Sequence, residues 1–389
     1  MVDYAVTDRI ATRPRSRARE TAYLRNLDWV LLAAVGGIVA YGLWMVSGIT
    51  KDDITGDPNY YVARQAAYAL IGVAGMAGMI LIDPGFWRKH YRLVYGVLLF
   101  ILVLTPILGT SIRNTRRWID VGAFRFQPSE FGKLLLVLVL AAFLAERGKR
   151  IYERETTTTA IGLAAVPMLL VFLQPDFGTA IVYAAILAAA LFIAGTRWSE
   201  LAVLLVLGAS VAAFVLWVGP AMGVDVLKEY QRERITGFTN PSKDPSGSTW
   251  NVRQAQIAVG AGGVDGRGSS GATQTNDNFL PEHATDFVFA STAEQRGFVG
   301  VTILLLLYLL VIWRALKVIT LARDAFAAIA AGAIAFALLT QIFINVGMTI
   351  GMAPITGIPL PFVSVGGSSM VANLLAIGVL QSICVRRRS

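Results

Sequence analysis

Long apolar segments separated by short polar stretches make up most of the chain. Ten such segments are each close to the ~20 residues that an α-helix needs to cross a bilayer. Their predicted spans are 27–49, 64–82, 93–109, 126–145, 157–174, 177–195, 200–218, 297–314, 326–350 and 364–385. The composition agrees, since 55% of the residues are hydrophobic and only 15% are charged. The pattern therefore predicts an all-α polytopic membrane protein with ten transmembrane helices.

The N-terminal stretch 1–26 is basic, with six arginines and no lysine. The apolar segment after it is too long for a signal-peptide core and lacks an A-x-A type cleavage site. We therefore expect a cytoplasmic tail over 1–26 that lies against anionic lipid rather than nucleic acid, followed by a single transmembrane domain over 27–389. The one cysteine, Cys384, excludes an intrachain disulfide.

Positive charge is distributed unevenly between alternate loops. With the N-terminus in the cytoplasm, the inside loops carry Arg88, Lys89, Arg92, Arg147, Lys149, Arg150, Arg154, Arg197, Lys317, Arg323, Arg386, Arg387 and Arg388. The short outside loops 50–63, 175–176 and 351–363 carry only Lys51. This asymmetry predicts that both termini are cytoplasmic, and that one large extracytoplasmic loop, 219–296, lies between helices 7 and 8.

One outside loop breaks this rule, because 109–125 carries four arginines. These are Arg113, Arg116, Arg117 and Arg125. The next apolar run, 131–144, is too short to cross, so its helix must begin near Phe126 and bring Glu130 and Lys133 to membrane depth. The two residues are three apart, share a helix face and can pair. Buried charges usually face a polar cavity or the bundle interior; the alternative is a structural ion pair between helices.

Titratable residues cluster in LPEHATDFVFA (280–290), at the outer mouth of the eighth predicted helix. They are Glu282, His283 and Asp286. We interpret Asp286 as a general base, since a carboxylate at this place could take a proton from a substrate that is partly lipid. The alternative is that these residues only cap the helix and meet lipid headgroups.

Two further outer segments carry candidate binding residues. Asp176, in the turn Gln174-Pro175-Asp176, lies at the outer interface and can also N-cap the next helix. Three prolines in 351–363 forbid a regular helix. The final span then starts Gly366-Gly367-Ser368-Ser369, and such a helix N-terminus can bind an anion. The alternative there is a plain turn that needs glycine for packing.

The large outer loop contains three recognisable pieces. Residues 225–238 are typical of an amphipathic interfacial helix, and 249–259 is predicted to be helical. Six glycines follow between residues 260 and 271. Glycine-rich backbone can hold phosphate, but the stretch lacks a P-loop or dinucleotide fingerprint, and a flexible loop is the alternative.

The candidate residues on the outer face are one base, several cations and glycine-rich helix starts. The sequence has no HExxH, no paired cysteines, no GxSxG and no Walker motif. An acid beside cations at a membrane surface suits a lipid-linked phosphate substrate. The base would deprotonate an attacking hydroxyl, and the cations would hold a leaving pyrophosphate.

Four blocks of the sequence resemble the SEDS family (shape, elongation, division, sporulation). They are RNTRRWIDVGAFRFQPSEFGKL (113–134), QPDFGTA (174–180), the stretch from WNVRQAQIAVGAGG to LPEHATDFVFA (250–290), and NVGMTIGMAPITGIPLPFVSVGGSSM (345–370). The resemblance covers essentially the whole chain after the basic tail. ITGIPLPF is similar to the RodA branch, which acts in cell elongation.

The resemblance implies a peptidoglycan glycosyltransferase of the bacterial cytoplasmic membrane that polymerises lipid II on the extracytoplasmic side. It implies a class B penicillin-binding protein (a PBP2-like transpeptidase) and other elongation-complex membrane proteins as partners. Asp286 matches the family's essential aspartate. The matching residues for substrate binding are Arg125, Glu130, Lys133 and Asp176, to which we add Arg117, His283 and Ser368 from their positions. The sequence shows no dedicated metal site, and a divalent cation (Mg or Mn) could assist at the pyrophosphate.

This chain departs from the family pattern at two places, and two other functions stay open. Val365 stands where the family has tyrosine, and Gln295 replaces the second glutamate of a Glu-Glu pair. Membrane-depth charges also fit a flippase for lipid-linked precursors. A pure scaffold for the penicillin-binding partner would leave those charges unexplained. A flippase has no evident need for a base at the outer mouth.

Overall fold

The computed structural model describes residues 25–112, 115–122, 124–214, 222, 248–277 and 279–387. Most of the predicted tail and the predicted interfacial helix 225–238 lie outside these residues. The long helices are α1 (Trp29–Ile49), α2 (Tyr60–Leu81), α4 (Tyr91–Leu108), α5 (Pro128–Arg147), α6 (Arg154–Leu173), α7 (Phe177–Ala194), α8 (Trp198–Ala213), α9 (Ser248–Gly262), α12 (Val288–Leu321), α13 (Ala325–Thr349) and α14 (Gly367–Val385). Short helices are α3 (Pro84–Lys89), α10 (Gly268–Gly271), α11 (Thr273–Asn276) and the 3-10 turn Gly148–Tyr152.

Nine helices in the described part of the chain are long and apolar enough to cross a membrane. Their exposed faces carry large apolar side chains such as Leu70 on α2 and Phe100 on α4, as expected of surfaces that meet lipid. The all-α polytopic fold is therefore confirmed. The predicted span 200–218 corresponds to α8, whose apolar part Trp198–Ser210 is shorter than a span and precedes residues that are not described. The count of ten stays a prediction.

Three helices form the centre of the bundle: α5, α13 and α14. Most of their residues are buried. They also carry polar side chains at membrane depth, among them Glu130, Lys133, Gln341 and Asn373. Because buried polar groups need partners that lipid cannot give, these side chains fix how the three helices face one another.

A small antiparallel sheet lies where a plain outer loop was predicted. Its strands are β1 (Thr110–Ile112), β2 (Thr115–Val121) and β3 (Phe124–Phe126), in the order β1-β2-β3. Asp120 pairs with Arg125 across β2 and β3, and the two side chains form an ion pair of 3.2 Å. Helix α5 begins at Pro128, two residues after Phe126, as the predicted start near Phe126 required, and proline suits the first helical turn. The sheet sits directly before the buried pair Glu130 and Lys133.

Glycines bring the outer loop against a kink in α12. Gly297 has φ 62° and ψ −165°, which interrupts the helix. The amides of Phe298 and Val299 donate instead to the carbonyls of Gly263 and Val264. A Cβ on Gly266 would lie 2.4 Å from the Gln295 carbonyl oxygen. Part of the glycine-rich stretch thus serves close backbone packing, in place of the phosphate cradle or flexible loop considered from the sequence.

A buried polar cluster closes the predicted cytoplasmic end. Arg314 on α12 donates to both carboxylate oxygens of Asp28, at 2.7 to 3.1 Å. Asp28 N-caps α1 by accepting from Leu31, and its backbone exchanges two hydrogen bonds with the Gln381 side chain of α14. The first, eighth and last predicted spans are therefore fastened together at one end.

Gly297→Ala should strongly destabilise the protein. A Cβ there would lie 2.3 Å from both Gly266 N and Val264 O, and φ is positive. Steric overlap and backbone strain together should cost about 3 kcal/mol, seen as a lower Tm in detergent. Gly260→Ala is the matched control, because its Cβ would meet nothing within 4 Å and it lies inside α9. An equal Tm for the two variants would contradict the packing role of Gly297.

Candidate functional site at the outer end of the bundle

Asp176 is a junction between the sheet, α5 and α7. It is 3% exposed, and its Oδ1 caps α7 by accepting from the Thr179 amide at 3.3 Å, as predicted. Its Oδ2 accepts from the Ser129 hydroxyl at 2.9 Å and from the Gln127 side-chain amide at 3.2 Å. Arg117 on β2 approaches Oδ1 at 3.8 Å. Asp176 thus holds the sheet over the start of α5, and the sequence had placed both Arg117 and Asp176 on this face.

Ser368 joins the start of α14 to the same sheet. Its hydroxyl donates to the Arg125 backbone carbonyl and accepts from the Gln127 backbone amide, both at 2.8 Å. Gly367 permits this approach, because a Cβ there would lie 2.9 Å from the Tyr68 ring. The Ser368 hydroxyl, which we predicted as a ligand for an anion, therefore uses its hydrogen in a bond to the protein backbone. The Arg125 side chain remains 56% exposed beside Asp120.

Glu130 and Lys133 form the predicted pair. The Lys133 ammonium lies 2.8 Å from Glu130 Oε2 and 2.6 Å from Gln341 Oε1, with the lysine side chain 7% exposed. An ammonium has three N–H donors. Two of them have acceptors here, and the third can reach an oxygen that enters the neighbouring cavity.

A small cavity that is partly open to its surroundings lies between α5, α13 and α14. Its polar lining consists of Glu130, Lys133, Gln341 and Asn373. Its other lining residues are apolar, including Val137, about one turn after Lys133 on α5, and Ile334, about two turns before Gln341 on α13. The cavity therefore offers charge at one end and hydrocarbon at the other.

The loop that carries Asp286 is pinned by the turn after α13. Ser364 donates to the Thr285 carbonyl, and the Val365 amide donates to the Ala284 carbonyl at 2.9 Å. Asn345 on α13 donates to the Asp286 carbonyl at 2.9 Å. Asp286 itself is half-buried. Its backbone is thus held on both sides of the residue.

Helix α13 connects Lys133 to Asp286. Gln341 accepts from Lys133, and Asn345, four residues later on the same face, donates to the Asp286 carbonyl. Residues four apart on a helix are about 6 Å from each other. The cation and the backbone of the proposed base therefore lie against successive turns of one helix. The sequence could not give this proximity.

His283 has partners inside the protein. Its Nε2 lies 3.0 Å from Asp53 Oδ1, and its Nδ1 lies 3.3 Å from the Leu280 carbonyl oxygen. The residue is buried. Burial of the ring lowers its pKa, but the hydrogen bond and the charge of Asp53 raise the pKa further, so the net shift is upward. His283 thus faces the loop between α1 and α2, and its predicted contact with substrate stays a prediction.

Glu294 and Gln295 also act within the fold. Glu294 accepts from the backbone amides of Gln274 and Thr275, at 2.8 and 3.0 Å, and so caps α11. Gln295 donates to the Gly48 carbonyl of α1 at 3.1 Å. The departure from the family's Glu-Glu pair therefore falls on a contact between α12 and α1.

Non-glycine residues with positive φ mark the same outer segments. They are Pro175, before Asp176; Glu282, before Asp286; and Phe362, before Ser364. Such conformations cost of order 1–3 kcal/mol and persist where surrounding contacts enforce them. In the described chain these are the ones found, and each lies in a segment that contributes to this site.

The donor set does not fit a dedicated metal site. Among the described residues, no group of three or more His, Cys, Asp or Glu side chains is arranged to hold a metal ion. Glu130 faces Lys133, and Asp176 faces Ser129 and Arg117. Assistance by Mg²⁺ or Mn²⁺ stays a prediction, and no step below passes through a metal.

Gln341 and Asn345 are the functional candidates that sequence reasoning missed. Both are fully buried in an otherwise apolar helix. A signal was present, since two amides four residues apart in a membrane span share one face and need partners. Asp53 gave no such signal, because its partner His283 lies 230 residues away in sequence.

A family model described as cell cycle protein, FtsW/RodA/SpoVE, matches residues 25–389. The chain belongs to this family. It is 37% identical over 357 residues to stage V sporulation protein E of Bacillus subtilis. The aligned residues cover 91% of this chain and 94% of that protein. It is 34% identical over 363 residues to peptidoglycan glycosyltransferase MrdB of Escherichia coli K12, with 93% and 95% covered.

The fold is shared with a solved member of a peptidoglycan synthase complex. That chain superposes with a TM-score of 0.79 at 28% identity, over 93% of this chain and 99% of its own length. Family membership and the apolar helices together identify a multi-pass protein of the bacterial cell membrane. The predicted resemblance to the SEDS family is confirmed.

Proposed function

We propose that this protein is a peptidoglycan glycosyltransferase that polymerises lipid II into β-1,4 glycan strands. Support comes from relatives that are named as glycosyltransferases and from one feature of the site. That feature is the position of the Asp286 backbone against Asn345, one turn of α13 from Gln341, which accepts from Lys133.

Asp286 is assigned the general base. It accepts the proton of the acceptor sugar's 4-hydroxyl while that oxygen attacks the donor's anomeric carbon from the face opposite the pyrophosphate. The new C–O bond forms as the bond to undecaprenyl pyrophosphate breaks, so the anomeric configuration inverts. Hydrogen bonds from Asn345, Ser364 and Val365 keep this loop in place during the transfer.

Lys133 and Arg125 are assigned to the leaving pyrophosphate. Each already has a carboxylate neighbour, Glu130 or Asp120, that orients it. A preorganised cation stabilises developing negative charge without reorganising at the moment of reaction. The apolar end of the cavity suits the first units of the lipid chain. The sheet that carries Arg125 is held in place by Asp176, Arg117 and Ser368. These residues thereby shape the outer side of the binding site.

The finer assignments are to cell elongation and to a class B, PBP2-like partner. ITGIPLPF resembles the elongation branch, whereas the relatives include a sporulation protein. The solved synthase complex supports a partner that crosslinks glycan. Depletion in the native bacterium should give rounded cells; filaments would favour a division role. The positive-inside pattern supports a site on the extracytoplasmic side.

The deciding test is polymerisation of fluorescent lipid II by the purified protein with its penicillin-binding partner. We expect a ladder of glycan strands on a gel that a muramidase digests. A flippase would instead move lipid II between leaflets of vesicles without forming polymer. Translocation with no ladder would overturn the polymerase proposal.

Asn345→Ala should slow polymerisation about tenfold or more. The change leaves the buried carbonyls of Asp286 and Ile358 without their donor, which costs about 1–3 kcal/mol each, and it frees the loop. The rate constant should fall more than the affinity for lipid II. Thr349→Ala is the control, because its hydroxyl bonds only to Val346 of its own helix, one turn further on. Equal activity of the two variants would contradict the positioning role.

A further inference from the structure

We infer that Asp53 is a positioning residue for the transfer reaction and acts through protonated His283. The pair, here called the Asp53–His283 clasp, fastens the loop 280–287 to the loop 50–59. The inference rests on the proposed role of Asp286, which lies three residues after His283. Asp53 belongs to neither the predicted site nor the cavity.

The contacts of both His283 ring nitrogens are satisfied in full only when the ring is charged. One ring nitrogen faces a carboxylate, at 3.0 and 3.1 Å from its two oxygens, and the other faces a backbone carbonyl at 3.3 Å. Carboxylate and carbonyl oxygens only accept, so both nitrogens must donate, and only the imidazolium has two N–H groups. A neutral ring keeps one of the two bonds.

The clasp is sheltered from solvent. The His283 side chain is 10% exposed and that of Asp53 is 19% exposed. The His283 carbonyl also accepts from Ser291 in the first turn of α12, at 3.1 Å. His283 therefore connects two segments to the loop between α1 and α2. Its carbonyl contacts the first turn of α12, and its ring holds the loop that carries Asp286.

Other charged and titratable groups stand around the clasp. Glu282, in the same loop, adds negative charge near His283. Tyr61 of α2 interacts electrostatically with Asp53, Glu282 and Arg64. Burial lowers the pKa of His283, and the contacts with Asp53 raise it by more, so the folded-state pKa lies above the ordinary histidine value. The clasp is therefore complete below the ordinary histidine pKa and is lost as pH rises through the raised pKa.

The first measurement is the pH profile of polymerisation by the complex with its partner. Wild-type activity should fall as His283 deprotonates. Asp53→Asn keeps the shape but removes the charge, so the fall should move to lower pH. The rate constant at neutral pH should drop about tenfold with little change in KM. Exchanging the residues, Asp53→His with His283→Asp, keeps the ion pair but loses the bond to the Leu280 carbonyl, so it should restore only part of the rate.

Two controls match the clasp variants. Asp57→Asn removes an exposed carboxylate from the same loop, where it accepts only from the nearby Asn59 amide. His90→Gln removes the chain's other histidine, which is partly exposed at the opposite end of the bundle. Both should reproduce the wild-type profile. An Asp53→Asn profile that superimposes on wild type, at equal Tm, would overturn the clasp.

Hydrogen exchange separates this inference from the proposed chemistry. The amides of Thr285 and Phe287 both donate to the Glu282 carbonyl within the loop. In Asp53→Asn they should exchange about tenfold faster than in wild type at the same pH, whether or not Asp286 is a base. Unchanged exchange would refute the clasp. Faster exchange together with an active Asp286→Asn variant would refute the base and leave the clasp standing.

Discussion

Asp286→Asn should abolish glycan polymerisation while leaving the protein folded and bound to its partner. The amide has nearly the shape of the carboxylate but cannot accept the proton of the attacking hydroxyl. General-base catalysis contributes about 10²- to 10⁴-fold, so the rate should fall by about a thousandfold. Lipid II binding should change little, because the cations assigned to the pyrophosphate, Lys133 and Arg125, are untouched. The measurement is the initial rate of strand formation on a gel.

The control for this variant is Asp277→Asn. Asp277 lies in the same outer loop, is exposed, and precedes the base by nine residues. Its variant should polymerise lipid II at the wild-type rate. The backbone contact from Asn345 to Asp286 does not involve the carboxylate, so the Asp286→Asn variant should keep it. Tm is measured for wild type and both variants on the same preparations, so that a loss of rate is separated from a loss of stability. Near-normal polymer from Asp286→Asn would remove the general base from the mechanism.

The sequence predicted the parts of this molecule that depend on local patterns. Apolar segments gave the membrane helices, and the spacing of Glu130 and Lys133 gave a pair that the structure places at 2.8 Å. Asp176 caps α7 as expected from its position before a helix. In each case the interacting groups lie within one helix or at its end, so a few residues of sequence contain the information.

What the sequence did not give depends on contacts between distant segments. The sheet 110–126 was read as an irregular loop, because its strands are short and basic. The link from Lys133 through Gln341 to Asn345 joins α5, α13 and the Asp286 loop. A glycine-rich sequence also does not distinguish a backbone that binds phosphate from one that packs against another backbone segment. At Gly266 the neighbouring atoms belong to the backbone at the α12 kink.

Lys133→Met should be the most damaging change to both stability and activity. Methionine is similar in length and apolar, but it leaves the Glu130 carboxylate, 2% exposed, without its cation. Removing one member of a buried ion pair costs about 3–5 kcal/mol. We expect a large fall in Tm, and we expect no polymer because the donor pyrophosphate loses its closest buried cation. Tm in detergent and the gel assay are measured on the same preparation.

The double variant Glu130→Gln with Lys133→Met separates the two effects. Without the carboxylate, no buried charge remains uncompensated, and an apolar or neutral replacement of a buried pair is often nearly neutral for stability. The Tm should therefore recover most of its loss. Activity should not recover, since the cation that faces the cavity is still missing. If polymerisation returned together with Tm, Lys133 would be a structural partner of Glu130 and Gln341 only, and the pyrophosphate would have to be held by the arginines of the sheet.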